Sequence, residues 1–149
     1  MIRKKNMAVF LAACVLLCGC FKAPNSDGKV TPTTGMVVVI VEDETRSEPL
    51  TSGQVVAMGA KEVDEYLDAH CAKGADGKTP EAKKYHKGAD VSLQSKEVQD
   101  LHAKVVQKMN KSGTKDPYIG IKAGRKTAIG PVPEGKDNML GLLKKYGGN

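Results

Sequence analysis

The chain of 149 residues has no tryptophan, four tyrosines and two phenylalanines, so aromatics make up only 4% of it. Any core built from this sequence is aliphatic. Cysteine is scarce where a fold would use it. Cys14, Cys18 and Cys20 crowd into an N-terminal apolar stretch, and Cys71 stands alone in the rest of the chain. A single thiol there excludes an intramolecular disulfide, so the folded part relies on buried apolar surface. About 110 residues suffice for one small domain of that kind. Common catalytic and cofactor signatures are missing too. There is no Gly-x-Ser-x-Gly and no His-Glu-x-x-His. The stretch "GADGKTPE" has Ala72 where a P-loop needs its first glycine, and Pro80 interrupts it, so it reads as a surface loop. Asp76 and Asp90 lack the spacing of a calcium loop. His70 and Cys71 are neighbours that point about 100° apart on a helix, and His86 and His102 are distant in sequence, so no compact ligand set emerges. The sequence implies no cofactor and no metal.

What is present begins with "MIRKKNMAVFLAACVLLCGC". Arg3, Lys4 and Lys5 precede an unbroken apolar run of 12 residues, Met7 to Cys18. A membrane-spanning helix needs about 20 apolar residues, so this run is too short to remain as a span. A positive start, a short apolar core and small residues at its end make a secretory signal peptide. Leu17-Cys18-Gly19-Cys20 resembles the bacterial lipobox, although Cys18 stands where alanine or serine is commoner. That resemblance implies cleavage after Gly19 and a diacylglycerol on Cys20, with an acylated N-terminus. Two or three acyl chains exceed what stable anchoring needs. The partner so implied is a membrane, held through the lipid on Cys20. Phe21 stands where an aspartate often signals inner-membrane retention, so a Gram-negative host would place the protein at the outer membrane.

Charge reads differently once residues 1–19 are set aside. The whole chain carries 23 Lys+Arg against 17 Asp+Glu; without Arg3, Lys4 and Lys5 the balance is 20 against 17, or +3. Both signs are interspersed, which argues against nucleic acid as a partner. Residues 20–35 comprise Cys20 and a stretch rich in Pro, Gly, Ser, Thr and Asn, the composition of a flexible tether. The domain is expected over residues 36–149.

Within it, Val37 to Val41 are five consecutive β-branched residues, the pattern of a strand buried on both faces of a helix-covered sheet. Val56, Ala60, Val63, Leu67 and Cys71 recur at spacings of three and four, which predicts one amphipathic helix of about five turns, capped by Thr51 or Ser52. A short strand is expected around Lys84 to His86. Val98, Leu101, Val105 and Met109 share a helical face behind a Ser95 cap, and His102 borders it. Tyr118 to Lys122 and Lys126 to Ile129 flank Ala123-Gly124 as a hairpin. Met139, Leu142, Leu143 and Tyr146 mark a last helix, ended by Gly147.

Strand, long helix, weak strand, helix, Pro-initiated hairpin, C-terminal helix: over residues 36–147 this order resembles a thioredoxin-like domain, with Pro117, Gly124 and "MLGLLKKY" at suitable intervals. The resemblance implies an α/β sandwich, a small mixed sheet with helices on both faces, and a cis bond at Pro117. It also locates a departure. The segment "EDETRSEPLTSG", where a thioredoxin carries Cys-x-x-Cys, has no cysteine, and Glu42, Asp43, Glu44 and Glu48 would oppose a thiolate there. The Glu42–Glu44 group lies where α/β folds place ligands, yet its simpler reading is a solvated strand exit. Cys71 continues an apolar stripe near a helix C-terminus, which suits a buried structural cysteine. The expected function is a lipid-anchored, non-redox interaction or scaffolding module with an envelope protein partner. The competing expectation is an atypical envelope thiol-disulfide or peroxide reductase.

Overall fold

The computed structural model describes residues 35–147. The expected signal, the tether up to residue 34 and Cys20 lie outside the described residues. Strand β1 (Met36–Glu42) runs through the centre of the molecule. Two helices follow, α1 (Ser52–Gly59) and α2 (Lys61–His70), then strand β2 (Ala82–His86) and the long helix α3 (Lys96–Ser112). Strands β3 (Tyr118–Ala123) and β4 (Lys126–Pro131) form a hairpin, and α4 (Lys136–Gly147) closes the order. The sheet order is β2-β1-β3-β4, with β1 parallel to β2 and antiparallel to β3, and β3 antiparallel to β4. This is a mixed α/β sandwich, and it is compatible with a thioredoxin-like fold.

The reason for the layering is the apolar run itself. Alternate residues of a strand face opposite sides. Met36, Val38 and Ile40 therefore join Ala57, Met58, Val63, Met139 and Leu143 from α1, α2 and α4. Val37, Val39 and Val41 join Val98, Leu101, Val105 and Met109 from α3. The face of β3 toward α3 has no room for side chains at its middle. A Cβ on Gly120 would lie 2.5 Å from Val105 Cγ2 and 3.0 Å from Leu101 Cδ1, so the glycine sets how closely α3 approaches the sheet. His102 is buried at the edge of the same layer, with Nε2 3.4 Å from the His86 carbonyl oxygen and its ring edge-on to Tyr85.

Two expectations need correction. The five-turn helix is two helices. Ala60 is extended (φ −71°, ψ 133°) and serves as the C-cap of α1 and the N-cap of α2. The break frees backbone groups, and Lys84 Nζ donates to the Met58 carbonyl at 2.5 Å to satisfy one of them. Because the phase slips at Ala60, Val56 leaves the common stripe and is 49% exposed, while Gln54, Ala57 and Met58 turn inward. The Asp116–Pro117 bond is trans, since no cis peptide bond occurs among the described residues. The trans form is the ordinary default for an X-Pro bond. In it the Pro117 carbonyl accepts from Val132 N at 2.8 Å, continuing the hairpin ladder.

Substituting Gly120 by alanine forces a methyl against Val105 and Leu101. The expected cost is about 1–3 kcal/mol of stability, typical of an overpacked site. Urea denaturation of the two proteins should show a lower midpoint with an unchanged slope.

Candidate functional site

The site sits at the carboxyl end of β1, the position where α/β sheets hold ligands. It is assembled from the loop 43–51 and the loop 113–117 that leads into β3. Asp43, the second acidic residue of the strand exit, is buried rather than solvated. Its Oδ1 accepts from Thr45 N at 2.9 Å and Thr45 Oγ1 at 2.7 Å, and its Oδ2 pairs with Lys87 Nζ at 3.1 Å. Side-chain bonding back to the backbone two residues on is the usual way an aspartate folds a tight turn. The Thr45 hydroxyl above all, then its N–H and Lys87, hold the Asp43 carboxyl down to about 2.

That turn throws Arg46 across the top of the domain. Its Nη2 donates to the Pro49 carbonyl at 2.8 Å, reaches Gln54 Oε1 at 3.5 Å and stands 3.6 Å from Asp116 Oδ1. The side chain is 14% exposed, and Nη1 is buried with no hydrogen-bond partner among the described residues. Lys115 Nζ donates to the Thr45 carbonyl at 2.9 Å, a second tie between the two loops. Thr114 Oγ1 donates to Asp116 Oδ2 and accepts from Asp116 N, each at 3.1 Å, which fixes the pair.

Helix α1 begins beside this network. Thr51 is its N-cap, with Oγ1 accepting from Gln54 N at 3.0 Å while Gln54 Oε1 accepts from Thr51 N at 3.2 Å, a reciprocal capping box. The same Thr51 hydroxyl donates to the Glu134 carboxylate at 2.7–2.8 Å, so the segment before α4 is tied in as well.

Two openings result. A cleft of about 200 Å³ is lined by Arg46, Ser47, Glu48, Thr114, Lys115 and Asp116. A broader one of about 470 Å³ lies on the other side of the turn, between Asp43, Glu44, Thr45, Lys87, Gly88 and Val106. The first offers a guanidinium and an ammonium alternating with two carboxylates. That arrangement suits polar recognition through hydrogen bonds and paired charges. The exposed Ser47 stands at its rim.

The residues singled out in the sequence are scattered. Cys71 is at the opposite end of the sheet, where it forms a bridge with Met36, the first residue of β1. The length of β1 separates it from the loop 43–51 by about 20 Å. It is buried, and desolvation pushes its thiol up to about 12, with Asp68 and Glu81 adding to the effect and Lys73 opposing it. His70 stacks on Tyr66 at 4.2 Å, far along α2 from His86 and His102. Among the described residues no three His, Cys, Asp or Glu side chains converge as a metal site. Pro117 ends the site's second loop, directly before β3, with a trans bond in place of the expected cis one. Sequence reasoning missed Arg46, Lys87, Lys115 and Asp116. Their partners lie up to about 70 residues away along the chain, and no spacing rule announces such pairs. Compared with protein families, curated proteins and solved structures, the chain finds no match in any of the three.

The Asp43 contacts carry a pH signature. Its pKa in the fold lies below the ordinary 3.8, so the stability it contributes is complete above that value and is lost as pH falls through about 2. The stability difference between wild type and Asp43→Asn should be constant from neutral pH to about 4 and shrink toward pH 2. Acid titrations of unfolding for both proteins test this; a difference that stays constant down to pH 2 contradicts it.

Proposed function

We propose that the protein is a lipid-anchored lipoprotein of the cell envelope, carrying a non-redox domain that binds a protein partner through the carboxyl end of β1. The observation that supports this best is the content of the loop 43–51. In the place where a thioredoxin carries its dithiol, this chain builds a fixed ion-paired turn around Asp43 and Arg46. The thiol of the domain is elsewhere, buried and protonated at neutral pH. A dithiol cycle needs a thiolate to attack and a second thiol to resolve the mixed disulfide. Neither requirement is met by Cys71 alone.

The anchor in this proposal rests on the Leu17-Cys18-Gly19-Cys20 pattern. Among the described residues no helix is long and apolar enough to cross a membrane, so a lipid on Cys20 would be the domain's hold on the bilayer. For a Gram-negative host, Phe21 after the cysteine favours the outer membrane.

Two measurements on the full-length protein test the two halves of the reading. Mass spectrometry and fractionation of wild type and Cys20→Ser should show an acylated, membrane-bound protein and an unacylated, unprocessed one. Insulin reduction with dithiothreitol should run at background for wild type and Cys71→Ser alike. A Cys20→Ser protein processed and retained like wild type sinks the anchor. A rate above background that Cys71→Ser abolishes restores the reductase. Since a hydroxyl buried at position 71 costs about 1–3 kcal/mol, folding of the variant is verified at the assay temperature.

A further inference from the structure

We propose that the end of the domain to which the tether attaches is a cationic pole that seats on anionic phospholipid headgroups, holding the candidate site away from the membrane. The inference rests on the lipid-anchor reading and names the surface against which the anchored domain lies.

Sheet register collects the pole. The described chain starts at Gly35, directly before Met36, so the segment that leads back to Cys20 joins the domain here. Met36 is opposite Ala123 in β3, and Ala123 pairs with Lys126 across the hairpin turn, so Arg125 and Lys126 project at this end. Helix α4 also ends here, because a Cβ on Gly147 would lie 3.3 Å from Met36 Sδ; its last turn carries Lys144 and Lys145. The Met36 carbonyl accepts from Ala72 N at 2.8 Å, which hangs the loop 73–80, with Lys78, from the same end. Arg125, Lys126, Lys144, Lys145 and Lys78 are all exposed.

The acids of this end cancel them only in part. Asp68 is paired with Lys73 at 2.9 Å and Glu97 with Lys122 at 2.7 Å. Asp76, held by Lys78 N, Thr79 N and the Thr79 hydroxyl, is an exposed carboxylate that offsets Lys78, and Glu81 is buried, so Arg125, Lys126, Lys144 and Lys145 carry the excess. The opposite end has no such excess: Glu42, Glu44, Glu48, Glu134 and Asp137 stand among Arg46, Lys87, Lys108, Lys111, Lys115 and Lys136. A domain with this polarity, tethered at its cationic end, meets an anionic surface with that end first.

The reach of the tether allows contact, since 15 residues span at most about 50 Å and no minimum distance is imposed. Each cation held at an anionic surface shifts the docked-to-free ratio by about fivefold. The attraction acts within about 8 Å at physiological ionic strength, so it requires seating rather than mere proximity.

The test is lysine acetylation of the full, lipidated protein in floated vesicles, read residue by residue by mass spectrometry. Vesicles are of phosphatidylcholine alone or of phosphatidylcholine with phosphatidylglycerol. Lys108 and Lys111, exposed at the far end of α3, serve as references. The anionic vesicles should slow acetylation of Lys126, Lys144 and Lys145 severalfold relative to the references, and molar salt should restore it. Arg125→Glu with Lys126→Glu should lower the docked-to-free ratio by about 25-fold or more and restore labelling of Lys144 and Lys145. Lys108→Glu with Lys111→Glu, the same change in net charge at the other end, should leave the protection in place when read against the exposed Lys115. Equal labelling in both vesicles, or equal loss of protection in both double variants, overturns the docking while leaving the anchor intact. Protein that fails to float with phosphatidylcholine vesicles overturns the anchor, and the docking with it.

Discussion

Burial of β1 on both faces is the constraint from which the other features follow. Val37, Val38, Val39, Ile40 and Val41 are at most 4% exposed, and each such side chain gains about 1.5–3 kcal/mol from leaving water. Together that is on the order of 10 kcal/mol of gross driving force, comparable to the net stability of a small domain. A strand apolar on both sides requires a neighbour strand at each edge and helices above and below. The chain supplies β2 and β3 at the edges, α3 on one face, and α1, α2 and α4 on the other. With no disulfide among the described residues and few aromatics, no other element carries comparable weight.

The same strand gives the domain its polarity. Its first residue, Met36, touches everything at one end: Ala72, Ala123 and the end of α4. Its last residues open into the turn at Asp43, from which Arg46 and Lys115 stitch the loops 43–51 and 113–117 together. Arg125, Lys126, Lys144 and Lys145 crowd the first end, whereas the second mixes acids and bases. In the proposed orientation the first end faces lipid and the second faces a protein partner. The buried Cys71 belongs to the first end and to the core, which is why its chemistry and the site's geometry are unconnected.

Legibility in the sequence followed the range of the interactions. Five β-branched residues in a row announce β1 because burial on both faces is a local compositional signal. The Ser95 cap, the turn at Gly124, where φ is +56°, and the face shared by Val98, Leu101, Val105 and Met109 were readable for the same reason. The break at Ala60 was not. A spacing of three and four runs unbroken from Val56 to Cys71, and only packing decides that Ala57 and Met58 turn inward instead of Val56. Asp43 looked solvated because acidic runs usually are; its burial depends on Lys87, 44 residues later. A trans bond at Pro117 shows that family pattern conveyed strand order better than backbone detail.

The most direct test of the account is photo-crosslinking in living cells from two positions of the full-length protein. One photoreactive residue replaces the exposed Ser47 at the rim of the Arg46 cleft, and the other replaces Lys126 at the hairpin turn. The account predicts a discrete protein adduct from position 47 and none from position 126. A protein adduct from position 126, with position 47 silent, would contradict it.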